Sequence, residues 1–380
     1  MNKENTKFLS IVTLFWFAQY VYVPYQTPFL TAINVTSGFV GLIIGSYGFA
    51  QMVLRIPLGM LADWHLNHQV IIVTGTLLTG LAALIRLIFQ TGIGFLIGNI
   101  VSGIASATWL SFIVLFLKIN SNASKVENMA VLVMVNNLGI LLGFLVSSLL
   151  YSSLAMSGLC LFSALAGMLA FILSLTLPQL KFKKNAGKKP LGKLGQVFKN
   201  KTLIVCGALA FIQQGIQQST TMSLTMQMVR EIGAPAYSEG LSAIVYMGSA
   251  VLLAKSTSAK YLTKFTRRGI LLVSFILLAG YCFLIPLVSS IYLIYLLQII
   301  PGIGTGILFT ILNAEAISVV PSNTLSTATG VFQSIYALGM TTLPIFAGQL
   351  CARYSITISF FSMGLFALIG GLIVIKFWPK

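Results

Sequence analysis

Four glutamines crowd into six residues of an otherwise apolar stretch: Gln213, Gln214, Gln217 and Gln218. On a helix they form two stripes, Gln213 with Gln217 and Gln214 with Gln218, about 100° apart. An earlier apolar stretch repeats the theme. Gln19, Tyr22 and Gln26 share a helical face there, with Trp16, Tyr20 and Tyr25 beside them. An amide buried without a partner costs roughly 1–3 kcal/mol, and helix packing does not demand four in six residues. A wet cavity that binds a hydrogen-bonding solute explains them better. Tyr47, Trp109, Asn136, Asn137, Tyr246, Gln333 and Tyr336 are further candidates for such a lining, although each could equally bond one helix to another.

Charged chemistry is scarce. The only acids are Glu4, Asp63, Glu127, Glu231, Glu239 and Glu315, and none falls in the middle of an apolar run. A carboxylate deep in the membrane is the usual proton relay. Without one, a coupled proton must use Asp63, a rim residue such as Glu315, or the solute itself. Glu315 reads as a rim carboxylate capping the following connection. His65 and His68 sit together in one short loop with no third ligand nearby, so neither a metal site nor a Ser/His/Asp set can be built. No Gly-rich loop ends in Gly-Lys-Ser/Thr. The chain reads as neither an enzyme nor an ATP-driven pump, and it calls for no cofactor. Cys160, Cys206, Cys282 and Cys351 lie in or beside apolar stretches and read as small buried hydrophobes.

The elements that hold these residues follow from composition. Of 380 residues, 57% are hydrophobic and 8% charged, and the mean hydropathy is +0.95. Soluble domains carry about 25% charged residues, so this is an all-α polytopic membrane protein. A crossing needs roughly 20 apolar residues, and that rule predicts twelve transmembrane helices near 8–31, 38–62, 70–90, 93–117, 127–152, 156–177, 202–226, 238–259, 270–288, 291–313, 325–350 and 354–377. The first run is too long for a signal peptide and reads as a retained span. A lysine-rich connection at 178–201 divides a bundle of six helices (1–177) from a second six (202–380).

The net charge of +17 follows topology and calls for no nucleic-acid partner. With the N-terminus inside, 18 of the 23 basic residues fall on inside segments, which places both termini in the cytoplasm of a cell membrane. The linker lysines then serve as a topology signal and as ligands for anionic headgroups.

The halves repeat one another. Asn99-Ile-Val-Ser-Gly103 aligns with Gln298-Ile-Ile-Pro-Gly302, Gly41 and Tyr47 with Gly240 and Tyr246, and Leu138-Gly139 with Leu338-Gly339. The offset is 199 or 200 residues each time. Duplicated six-helix halves are a transporter device, with the solute bound between them.

Gly59-Met-Leu61-Ala62-Asp63, preceded by Arg55-Ile-Pro57-Leu, resembles the loop between the second and third helices of the major facilitator superfamily. The resemblance extends over the whole chain and implies a monomeric secondary transporter. It implies that Gly59, Asp63 and Arg55 belong to a gate, and that the first and seventh helices line the central cavity. The departures are specific. Trp64, His65, Asn67 and His68 stand where the family places basic residues. Asn99 replaces the arginine of proton-coupled efflux members, and Phe144 replaces the antiporter proline after Gly139 and Gly143.

Arg55 and Lys255 lie inside spans, either as anchors for an anionic solute or as structural cations holding backbone carbonyls. The Arg-x-Pro-x-Gly context favours the second. Arg86 reads as a residue snorkelling to the interface. The leading function is export of a drug-like or metabolite compound by alternating access, with protons as a coupling ion. The alternatives are a facilitator or symporter importing a neutral or anionic nutrient such as a sugar or organic acid, and a sensor or lipid-translocating protein on the same fold.

Overall fold

A computed structural model describes residues 3–64, 67–121, 125–177, 190–256, 266–321 and 324–378. In hydrocarbon a segment must satisfy its own backbone N–H and C=O groups, so each apolar run closes into a helix. Nine helices among the described residues are long and apolar enough to cross a membrane. They include α1 (Glu4–Ala32), α2 (Ser37–Trp64), α3 (His68–Ile88) and α4 (Gly92–Ile119). The fifth, Lys125–Ser174, is 50 residues long, twice what a crossing needs. It turns back at Ala155, whose φ of 52° and ψ of −162° break the helix, and so supplies α5 (125–154) and α6 (156–174). Then come α7 (201–231), α8 (Tyr237–Ser256), α9 (Arg267–Leu287), α10 (Ile291–Ser318), α11 (Leu325–Arg353) and α12 (Ile356–Phe377). Twelve helices result, within a few residues of the expected spans. A short helix, Pro190–Phe198, lies in the basic connection and packs on α2 and α11.

Local chemistry sets the boundaries. Asn34 turns the chain from α1 to α2 at a φ of 62°, a region that asparagine tolerates. The side chains of Asn67, Thr91, Asn200, Thr266 and Ser355 each accept a backbone N–H in the first turn of the helix that follows. One expectation fails here. His68 is not a loop residue: α3 starts at it, it is 1% exposed, and its Nδ1 lies 3.1 Å from Ser111 Oγ.

Glycines decide how closely helices approach. On α2, a Cβ at Gly41 or Gly59 would press on the Pro344 or Ser326 carbonyl of α11, so these backbones touch. Gly240 of α8 meets Ser148 of α5 in the same manner, and the pair Gly41 and Gly348 is repeated by Gly240 and Ser148 at offsets of 199 and 200. Within each half the repeat is closer still. Gly103 packs on the Tyr47 carbonyl and Gly302 on the Tyr246 carbonyl.

The helices that surround the centre are not continuous. A turn at Val21–Tyr22 interrupts α1, and Thr108 breaks α4. Wide π-helical turns occupy Gln217–Leu224 in α7 and Gly304–Phe309 in α10. Such turns recur at functional sites because they re-aim side chains out of helical register.

Candidate functional site: a polar cavity between the two halves

Two cavities lie where the interrupted helices meet. The larger, with about 530 Å³ of empty space, is lined by Trp16 and Tyr20 of α1, Tyr47, Gln51 and Arg55 of α2, and Trp109 of α4. Asn136 and Asn137 of α5 complete that side, facing Gln214 and Gln217 of α7, Thr305 and Phe309 of α10, and Tyr336 of α11. The smaller, about 400 Å³, lies toward the end of the bundle away from the termini. Gln19, Tyr22, Gln26 and Asn99 line it opposite Gln218 and Met222. Tyr20 and Tyr47 line both.

The anticipated residues therefore separate. Gln19, Tyr22 and Gln26 do share one wall. The two glutamine stripes do not map onto the two cavities: Gln213 and Gln217 bond to each other across one turn, the chain being α-helical up to Gln217, where a π-helical turn begins. Gln214 and Gln217 reach the larger cavity and Gln218 the smaller, while Gln213 turns to Gln217 Oε1 (3.2 Å) and Thr305 Oγ1 (3.4 Å). Nor do the amides of α1 and α7 bond to each other. Gln19 donates to Thr79 Oγ1 (3.0 Å) and the Ser102 carbonyl (3.3 Å) within its own half. Tyr47 bonds to Ser106 and Tyr246 to Thr305, both at 2.8 Å and both across 59 residues. Tyr246 is wholly buried behind Thr305, and Gln333 is 1% exposed.

Two buried cations dominate the electrostatics. Arg55, 1% exposed, donates to the Gln333 carbonyl (3.1 Å) and the Ser106 carbonyl (3.4 Å), and lies 4.8 Å over the Tyr336 ring. It holds backbone carbonyls, as its context suggested, and also faces the larger cavity. Arg86 overturns the sequence reading. It does not snorkel but is 1% exposed, donating to Asn99 Oδ1 (3.0 Å) and to Ser102, and stacking 4.2 Å over Tyr22. The polar face of α4, which carries Asn99 and Ser102, was the signal that could have revealed this. Hydropathy alone hides it. Among the described residues neither guanidinium has a carboxylate against it, and the Nε of each lacks a hydrogen-bond partner. So do Gln19 Oε1, Gln213 Oε1, Gln333 Oε1 and Trp16 Nε1. Three of these orphans donate (the Nε atoms of Arg55 and Arg86, and Trp16 Nε1) and three accept (the amide oxygens), so a solute that both accepts and donates hydrogen bonds fits such surroundings, since buried polar groups left unpaired are costly.

At the end away from the termini the halves are joined. Thr27 and Ser223 hydroxyls lie 3.0 Å apart across the halves, and Arg230, paired with Glu239 (2.8 Å) in its own half, reaches across to Tyr151, which stacks on Tyr25 at 3.8 Å. Tyr151 and the Arg230–Glu239 pair went unnoticed in the sequence. Glu315 also departs from expectation, because it pairs with Arg267 of α9 instead of capping a connection. On the gate, Gly59 is in place against α11, while the side chains of Asp63 and Lys255, and all of His65, lie outside the described residues.

Comparison with known proteins fits this architecture. A variant of the nucleoside transporter NupG superposes with a TM-score of 0.77 at 14% identity, covering 98% of this chain and 99% of that one. The unaltered NupG gives 0.75 at 15% identity over the full length of both. The human organic anion transporter MFSD10 (TETRAN) gives 0.70 at 14% identity, covering 98% and 100%. These likenesses concern the fold. In sequence, an uncharacterized MFS-type transporter of Methanocaldococcus jannaschii is 28% identical over 177 residues, a stretch that spans about half of either chain, 46% of each. The Major Facilitator Superfamily profile matches residues 8–260 and 250–380, and the chain belongs to that family of multi-pass membrane transporters.

Proposed function

We propose that this chain exports a small organic solute, neutral or anionic, by alternating access of residues 1–177 against 202–380 across a cell membrane with both termini cytoplasmic. One observation carries the reading. The larger cavity is lined by amides, phenols, indoles and a buried arginine, with no carboxylate among its lining residues. A cationic drug would meet an uncompensated guanidinium there, whereas a carboxylate, phosphate or carbonyl would complete it. Aromatic walls from Trp16, Trp109 and Tyr336 suit a planar ring. The substrate-binding set is Gln19, Tyr22, Gln26, Tyr47, Trp109, Asn136, Gln214, Gln217, Gln218 and Tyr336. Gln213, Tyr246 and Gln333 support it from behind, and Gly59, Asp63 and Arg55 take part in the gate. A coupled proton would enter with the solute or pass through Asp63. The working unit is a monomer, since the cavity is complete within one chain.

Export rests on the Arg55-Ile-Pro57-Leu-Gly59 context. Import by a facilitator is the second reading, favoured by Asn99 and Phe144 where proton-coupled exporters differ. Transport of labelled nucleosides, organic anions and sugars, in vesicles of both orientations with and without a proton gradient, separates them. Accumulation of a cationic dye with no response to any anionic or neutral compound would refute the substrate class.

A further inference from the structure

A third cavity, about 890 Å³, lies at the end of the bundle that carries both termini, away from the central pair. Lys201, Arg267 and Arg268 line it against the single carboxylate of Glu315, with Trp378 and Phe377 at its wall. Arg267 is paired with Glu315, so the excess charge belongs to Lys201 and Arg268. Two helices also begin here, α7 at Lys201 and α9 at Arg267, so both positive dipole ends converge on the same space. Their caps, Asn200 and Thr266, each satisfy one first-turn amide, leaving other amides of those turns without a partner inside the helix. Trp378 is 8% exposed and Phe377 57%, an indole beside the charges and an apolar ring open to the surroundings.

Cations, converging helix starts and an interfacial tryptophan at the membrane end of a helix bundle describe an anion pocket open to lipid. We infer that this cavity binds a phosphate group, as the headgroup of an anionic phospholipid or as free phosphate. Lys201 and Arg268 are the main cations, with Arg267 recruited from Glu315. Failure of this inference leaves the transport reading untouched, because no residue is shared with the central cavities.

The test uses the full chain with Trp16, Trp64 and Trp109 replaced by Phe, so that emission reports Trp378 alone. The protein is placed in phosphatidylcholine nanodiscs doped with brominated phosphatidylglycerol or brominated phosphatidylcholine. Each basic residue near an anionic surface strengthens attachment about fivefold, so half-quenching should need about 25-fold less phosphatidylglycerol than phosphatidylcholine. K201Q with R268Q should abolish the preference, and K201R with R268K should keep it. Inorganic phosphate at matched ionic strength forms a third arm. A Trp378 response to it, lost in the Gln variant and without lipid preference, supports the same pocket with free phosphate as its ligand. Equal quenching by both lipids with no phosphate response, or a preference that survives the Gln variant, overturns the inference.

Discussion

The surroundings of Tyr47 and of Tyr246 are two versions of one design. Each tyrosine bonds to a hydroxyl 59 residues on, each has a glycine of the same partner helix against its carbonyl, and each half buries an amide nearby, Asn99 or Gln298. Asn99 donates to the Ile43 carbonyl and Gln298 to Ser242, positions 199 residues apart. What those amides accept differs. Asn99 Oδ1 receives Arg86, whereas Gln298 Oε1 receives the Tyr281 hydroxyl, 3.3 Å away. Charge entered one copy and not the other. Arg55 adds to the same side, so the fixed positive charge of the described centre lies on the first half, facing neutral hydrogen-bonding groups of the second. On the proposed function, the first half holds an anionic group and the second closes over it with Gln214, Gln217 and Thr305.

The largest effect should come from preventing the halves from separating. Thr27→Cys with Ser223→Cys, in a chain lacking the four native cysteines, places two thiols where hydroxyls stand 3.0 Å apart. Oxidation should stop transport completely and reduction should restore it. Full activity in the oxidised form, verified by gel shift, would mean that this end does not open.

Charge asymmetry predicts the next effect. Hydrogen bonds to charged groups are worth about 1.5–3 kcal/mol, so Arg55→Gln should lower uptake of an anionic solute roughly 10- to 150-fold, while Thr305→Val, opposite, should lower it less than tenfold. Equal losses would erase the division of labour between halves. Stability should show the same ranking. Arg86→Met leaves Asn99 and Ser102 short of a donor at about 1–3 kcal/mol, and Tyr281→Phe costs about 0.5–1.5 kcal/mol. Unfolding in sodium dodecyl sulfate mixtures reads both, and a costlier Tyr281→Phe would reverse the comparison.

The twelve helices were legible because hydrocarbon imposes length and apolarity on each span, and the repeat was legible because glycines at close contacts cannot drift. Gly41, Gly103 and Gly240 announced the interfaces they make. The kink at Ala155 was legible only as an excess of length. The site was partly legible. Polar side chains stood out against an apolar background, but where each points depends on interruptions that composition does not encode. The four glutamines sit on neighbouring faces of one helix yet reach different surfaces, and the π-helical turn that begins at Gln217, just after Gly215, is not announced by composition. Arg86 was misread because depth in a span says nothing about which face a residue takes. Its partners Asn99 and Ser102 lie 13 and 16 residues on, in the next helix.

The four glutamines supply the smallest and most selective test. Gln214 and Gln217 line the larger cavity and Gln218 the smaller, while Gln213 faces Thr305 behind the lining. Loss of one hydrogen bond to solute is worth roughly 0.5–1.5 kcal/mol, so Gln214→Ala should weaken apparent affinity by two- to tenfold and alter selectivity. Gln213→Ala should instead lower stability by a similar free energy and leave selectivity unchanged, because its amide bonds to Gln217 and Thr305. Single cysteines distinguish lining from support without knowledge of the solute. Cysteine at 214 and 218 should react with a water-soluble thiol reagent, and cysteine at 213 should not. Reactivity at 213 with 214 silent would show that α7 is rotated in the membrane and that the second half presents a different surface to the first.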